Sequence, residues 1–277
     1  PKPDDSTSIQ WGKQKINLAP SAANKWKTFF ATYQHLEEAL APIEIHHKGG
    51  ELEIANILFR PILSHSAVKP EPRQDEWWQK RHQAMNTAAQ DSPADLLFIG
   101  DSITQAWEGP GARVWEEYYG NRNALNLGIS GDRTQHVLWR LQNGNLGATQ
   151  PKLAVIMIGT NNSGANTGVE IADGIRKICG ELRRQRPNLE ILVLGIFPRG
   201  PDRNDPRRLV TEETNQLVES WASTQEKIQF LDIGEEFLTE TGQLSKKVMP
   251  DLLHLNPSSY EVWAKATEAP ISKILPL

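Results

Sequence analysis

Four short stretches of the 277-residue chain carry side chains whose types and order suit acyl transfer. The first, Gly100-Asp101-Ser102-Ile103, presents a hydroxyl directly after an apolar run at 96–99. A serine hydroxyl is a weak nucleophile on its own. It needs a base, and a site for the negative charge that develops on the attacked carbonyl oxygen. The last stretch, Asp251-Leu252-Leu253-His254-Leu255-Asn256, offers the base. Three-residue spacing lets the Asp251 carboxylate turn back onto the His254 imidazole, fix its tautomer and leave the other ring nitrogen for Ser102. Between them, Asn126-Leu127-Gly128-Ile129-Ser130-Gly131-Asp132 has glycines that permit a tight turn. The Gly131 amide can then face the site, with Asp132 as the expected cap of the next helix. Gly159-Thr160-Asn161-Asn162 adds the Asn161 side-chain amide, an uncharged donor of the kind that stabilises an oxyanion. Singly, each stretch has a plainer explanation as a strand-to-helix turn, a loop or a surface ion pair. Jointly and in this order they supply every part of an acyl-transfer site.

The surrounding pattern predicts the scaffold. Strands are expected at 96–99, 124–127, 153–158, 191–197 and 228–233, and helices at 112–119, 133–141, 169–185 and 210–224. A helix-prone stretch at 76–89 precedes them. A closing helix follows Asn256-Pro257, where asparagine caps well and proline suits the first helical position. Val210, Thr214, Leu217, Val218 and Trp221 share one helical face. Five strands with interposed helices predict an α/β fold: a three-layer, doubly wound, five-stranded parallel sheet of order 2-1-3-4-5. The candidate residues fall beyond the carboxyl ends of its strands, where ligands collect in such sheets.

Residues 1–70 have a different texture and are expected to form a β-rich extension to a main domain at 71–277. Two alternating runs around Lys48-Gly49-Gly50 give a hairpin signal, 25–34 is rich in aromatic and β-branched residues, and 67–75, with Pro70 and Pro72, reads as a linker. His46-His47 has no third metal ligand close by in sequence. The single cysteine, Cys179, rules out an internal disulfide and shares a helical face with Ile171, Ile175 and Leu182. Arg183-Arg184-Gln185-Arg186 reads as a solvated helix end. A formal net charge of −4 argues against an electrostatic nucleic-acid binder, and no apolar run approaches the roughly 18 residues of a membrane span. Without a Gly-x-Gly-x-x-Gly turn or a clustered ligand set, no cofactor is expected. A chain beginning at Pro1 is expected to have a processed or trimmed end, which leaves the compartment open.

The four stretches resemble the four blocks of the SGNH hydrolases, also called GDSL esterases, from about Asp95 to the C terminus. The run Gly131-Asp132-Arg133-Thr134-Gln135-His136-Val137-Leu138-Trp139-Arg140-Leu141, then Asn143-Gly144, Leu194-Gly195-Ile196-Phe197-Pro198-Arg199-Gly200 and Leu252-Leu253-His254-Leu255, resemble the catalytic-subunit type of platelet-activating-factor acetylhydrolase. Pro42 to Ile62 is similar to the last hairpin of concanavalin-like β-sandwiches found in sugar-processing proteins. The resemblance implies a flavodoxin-like fold with Ser102 as nucleophile, His254 as base, Asp251 as its orienting carboxylate, and the Ser102 amide, Gly131 amide and Asn161 side chain as oxyanion donors. It also implies small acyl-ester substrates, acetyl above all, and a homodimer. The N-terminal segment favours O-acetylated carbohydrates, with phospholipid-type acetyl esters as the alternative; His136 and the loop at 198–208 are candidates for the rim. From a different class, nine tryptophans would suit a non-catalytic carbohydrate-binding protein, although Trp139 and Trp221 read as core.

Overall fold

Alternate residues of five apolar strands feed two separate cores. The computed structural model describes residues 6–11, 14–18, 43–48, 65–91 and 94–276. The chain divides into two compact units, Pro1–Ile62 and Leu63–Leu277. In the first, β1 (Ser6–Trp11) pairs antiparallel with both β2 (Gln14–Leu18) and β3 (Ile43–Lys48), and Ile9 stands opposite Ile16 on one side and Ile45 on the other. The further strands expected at 25–34 and after Gly50 lie outside the described residues. So do the side chains of His46 and His47.

The second unit holds a parallel sheet of β4 (Leu96–Gly100), β5 (Ala124–Gly128), β6 (Leu153–Met157), β7 (Glu190–Leu194) and β8 (Ile228–Leu231). The order is β5-β4-β6-β7-β8, the expected doubly wound arrangement. Leu97, Ile99, Ala154, Ile156, Ile191 and Val193 point to one face, where they pack with residues of α1 (Glu76–Asp91), α4 (Thr134–Gln142), α5 (Gly168–Gln185) and α6 (Pro206–Ala222). Leu96, Phe98, Leu153, Val155, Met157, Leu192 and Leu194 point to the other, toward α3 (Ala112–Tyr119) and α7 (Pro257–Ile274). That two-residue period explains why the central strands read as continuous apolar runs: both faces are covered by helices. Cys179 lies fully buried on α5, and burial pushes its thiol up to about 12.

Several boundaries differ from the sequence pattern for physical reasons. Helix α6 begins earlier than 210, because the Asp205 carboxylate accepts from the Arg207 and Arg208 amides and Pro206 occupies the first turn. Asp132 does not cap α4. Arg133 stands at the cap position, while the Asp132 carboxylate is buried in an ion pair with Arg140. The proline-marked stretch at 67–75 belongs to the second unit and packs within it: Ala67 is fully buried, its carbonyl accepts from Thr134 Oγ1 at 2.8 Å, and the Glu71 amide donates to the Gln135 carbonyl at 3.3 Å. Trp139 and Trp221 pack against the first core, and Trp78, Trp107 and Trp263 are fully buried.

Trp263 sits in an aromatic cluster, 4.9 Å from Trp107 and 5.0 Å from Phe197 between ring centroids, yet its indole N–H has no hydrogen-bond partner among the described residues. Trp263→Ala is expected to destabilise the fold by about 3 to 5 kcal/mol through cavity formation. Trp263→Phe should cost much less, because it also discards a buried, unsatisfied donor. Denaturant midpoints of the two variants test this; equal losses would contradict it.

Candidate active site

Strand β4 ends at Gly100, and α2 (Ser102–Gln105) starts at once, so Ser102 occupies the first helical position at the carboxyl edge of the sheet. Gly100 is needed there: a Cβ would collide with Thr104 Oγ1 and with the Met157 carbonyl. Asp101 caps α2 by accepting from the Ile103 amide at 3.0 Å. The first amides of a helix have no intrahelical acceptor, so the Ser102 N–H is not used within α2.

At the other end of the chain, Asp251 folds its turn around itself. Its Oδ1 accepts from the amides of Leu253 (3.1 Å) and His254 (2.7 Å), and Leu252 takes a left-handed φ of 60° to close the turn. The Gly200 amide steadies that conformation by donating to the Leu252 carbonyl at 3.0 Å. Asp251 Oδ2 lies 2.6 Å from His254 Nδ1, and His254 Nε2 lies 2.9 Å from Ser102 Oγ. Burial works against the Asp251 charge, but hydrogen bonds from the His254 imidazole and the two amides outweigh it and hold the carboxyl below its ordinary range. An ionised carboxylate only accepts. Nδ1 must therefore carry the proton, Nε2 accepts, and the Ser102 hydroxyl donates to it. Tyr260, on the helix that follows His254, donates its hydroxyl to the Ile103 carbonyl at 2.7 Å and so ties the serine and histidine elements together.

The two remaining stretches meet at Asp132. Asn161 Nδ2 donates to the Asp132 carbonyl at 2.9 Å, which uses one amide hydrogen and leaves the second. Next to it, Gly131 has a φ of 79°, and the Ile129 and Ser130 amides reach the Gly100 carbonyl (3.2 Å) and Gln105 Oε1 (2.7 Å). The turn carrying Gly131 is thus bonded to both ends of the segment that carries Ser102. Each candidate residue from the sequence falls into this one cluster of loops. His136 does not bring a charge to it: burial, then the nearby arginines, lowers its imidazole to about 4, and Nδ1 accepts from the Arg133 amide at 3.1 Å. In the loop at 198–208, Arg199 donates to both the carbonyl and the hydroxyl of Thr160 at 3.1 Å.

Other supporting residues were not singled out from the sequence. Asp132 is held by Trp78 Nε1 at 2.7 Å and Arg140 Nε at 2.8 Å, both in fully buried surroundings. Burial pushes the Asp132 carboxyl up and the Arg140 guanidinium down; because a guanidinium keeps its proton in proteins, the two persist as an ion pair. Asn162 ties the third stretch to the start of α4 by accepting from the Thr134 amide at 3.0 Å and donating to Gln135 Oε1 at 3.1 Å. A signal for Arg140 was present: it shares the helical face of Val137 and Leu141, and a charge on an apolar face calls for a buried partner.

The profile of the GDSL-like Lipase/Acylhydrolase family matches residues 98–262. The chain belongs to that family. Like its relatives it is a carboxylic ester hydrolase. The chain is 36% identical over 201 residues to the platelet-activating factor acetylhydrolase IB subunit alpha2 of Rattus norvegicus, covering 73% of this chain and 86% of the relative. It is 35% identical over 213 residues to the alpha1 subunit of Homo sapiens, covering 76% and 90%. Among solved structures, a GDSL-like lipase from Bacteroides thetaiotaomicron superimposes with a TM-score of 0.56 at 21% identity, covering 71% of this chain and 98% of that one. An acetylxylan esterase mutant from Geobacillus stearothermophilus gives 0.53 at 19% identity, covering 65% and 94%. These two likenesses bear on the fold.

One buried carboxyl next to the serine has an unusual setting. Asp101 is fully buried, its Oδ2 has no hydrogen-bond partner among the described residues, and burial raises its carboxyl from 3.8 to about 7. Because the folded value is the higher one, the neutral form favours folding below the unfolded value, and that contribution is lost as pH rises toward the folded value. Asp101→Asn keeps the capping oxygen and removes the titration. The wild type should therefore lose thermal stability relative to Asp101→Asn across the window from about pH 4 to about pH 7. Parallel melting curves over that range would rule out the titration.

Proposed function

We propose that the protein is a serine esterase that removes short acyl groups, acetyl above all, from small esters, with O-acetylated carbohydrates as the alcohol class. The observation that carries this reading is the continuous hydrogen-bonded line from Asp251 Oδ2 through His254 to Ser102 Oγ, at 2.6 and 2.9 Å. In the cycle, His254 Nε2 takes the hydroxyl proton as Ser102 Oγ attacks the ester carbonyl. Asp251 keeps the imidazole in the correct tautomer and favours its protonated form. The oxyanion accepts from the Ser102 amide, the Gly131 amide and the second hydrogen of Asn161 Nδ2. The alcohol leaves with the proton from His254, and water then repeats the sequence on the acyl-enzyme.

Acetyl is the group named for both the acetylhydrolase relatives and the acetylxylan esterase neighbour. The alcohol divides them. The relatives' name favours a second reading, in which the leaving alcohol belongs to a platelet-activating-factor-type lipid. An N-terminal unit built on an antiparallel sheet supports the carbohydrate reading. A homodimer is part of the same proposal. Among the described residues, tryptophans packed into the cores leave little to support a purely sugar-binding protein, although Trp77 is about half exposed.

Hydrolysis of p-nitrophenyl esters of increasing chain length should fall with length and vanish in Ser102→Ala. Acetylated xylo-oligosaccharides should be cleaved faster than a 2-acetyl glycerophospholipid; the reverse ranking would replace the carbohydrate reading with the lipid one. Asn161→Ala should lower kcat on the acetate ester by roughly 10² to 10³. A folded variant with unchanged kcat would remove Asn161 from the oxyanion site.

A further inference from the structure

Within the proposed oxyanion site, the peptide linking Ser130 to Gly131 is the unit whose orientation the local sequence leaves open. The Asp132 amide donates to the Ile129 carbonyl at 3.1 Å, and Gly131 has a φ of 79°, so residues 129–132 form a type II turn. Type I and type II turns differ by roughly half a rotation of the central peptide, and glycine accepts either form. In a trans peptide the carbonyl and the N–H point in opposite directions. Whatever holds the Ser130 carbonyl therefore also decides where the Gly131 N–H points.

Arg73 holds it. Its Nη1 donates to the Ser130 carbonyl at 2.6 Å. The guanidinium is itself fixed, because Nε donates to Asp75 Oδ2 at 3.1 Å while Asp75 Oδ1 accepts from the Trp78 amide at 2.9 Å in the first turn of α1. Gln79 adds a bond from its side-chain amide to the Arg73 carbonyl at 2.5 Å. Arg73 comes within only 3.8 Å of the Asp132 carboxylate, which Arg140 and Trp78 already satisfy. Its specific contact is the carbonyl.

We propose that Arg73 is a positioning residue that latches the Ser130–Gly131 peptide in the orientation presenting the Gly131 N–H to the oxyanion. The proposal rests on Gly131 being an oxyanion donor. A cation on the carbonyl does two things: it penalises the flipped turn, which would withdraw the carbonyl, and it polarises the peptide so that the N–H at its other end is a stronger donor. Arg73 touches no reacting atom. It is supplied by a segment that precedes the family-matched residues 98–262.

The test compares Arg73→Ala and Arg73→Lys with the wild type, using p-nitrophenyl acetate kinetics, thermal midpoints and the Gly131 amide resonance in nitrogen-15-labelled protein. Arg73→Ala is expected to lower kcat by roughly 10- to 100-fold, with KM within about twofold and the midpoint unchanged, as befits a displaced transition-state donor and a partly exposed ion pair. Arg73→Lys, which can still donate to the carbonyl, should restore most of the loss, and the Gly131 resonance should move in the alanine variant only. A kcat within about twofold of wild type in folded Arg73→Ala would overturn the proposal. So would equal losses in both variants accompanied by a falling midpoint, which would mark a purely structural role. If the wild type cleaves no ester, the esterase reading fails by itself, and the Gly131 resonance still decides the latch: an unmoved signal in Arg73→Ala rules it out.

Discussion

One buried carboxylate holds the proposed oxyanion half of the site together. Asp132 and Arg140 are both fully excluded from solvent, and the charge on each is tolerable only because the other is there. Such a pair adds little net stability, since desolvation offsets most of the attraction, but removing one partner strands a charge at a cost of about 3 to 5 kcal/mol. What the pair secures is registry. Trp78 brings α1 to the carboxylate, Arg140 brings α4, and the Asp132 carbonyl receives Asn161 from the loop after β6. Three separate segments are thereby referred to a single residue, and the turn bearing Gly131 hangs between them.

The serine and histidine half is organised differently, by turns and tethers at the rim. Asp251 is about half exposed, so its orientation comes from its own amide contacts and from a left-handed Leu252 that the Gly200 amide holds in place. The loop after β7 then links the two halves, because Gly200 contacts the histidine turn and Arg199 contacts Thr160, immediately before Asn161. The proposed serine mechanism needs both halves in register to within a fraction of an ångström, and the loop after β7 makes hydrogen bonds to each of them.

What the sequence made legible follows from how local each signal is. Ser102 after an apolar run, Asp251 three residues before His254, and Asn256-Pro257 at a helix start are all encoded within a few residues, and each appears where the pattern places it. The sheet order was readable because helices alternate with strands of apolar character on both faces. The misreadings involve distant partners. Asp132 looked like a cap because a carboxylate before a helix usually is one, and its true partner lies eight residues on, within the helix. Pro70 and Pro72 suggested a linker, although proline also suits an extended strap that gives its backbone groups to a neighbour, as Glu71 does to Gln135. Strands β1 and β2 escaped notice because Ile9 with Trp11 and Ile16 with Leu18 are short alternations among polar residues, with little apolar weight to distinguish them.

The burial of Cys179 within α5 has a practical side. A lone thiol, fully enclosed and with its ionisation pushed far above neutrality, gives almost no thiolate for alkylating or oxidising reagents to attack. The folded protein therefore offers a nearly silent background for thiol chemistry. A single cysteine introduced at an exposed position, on the loop at 198–208 for instance, would take up a fluorophore or spin label selectively, without first removing any native residue.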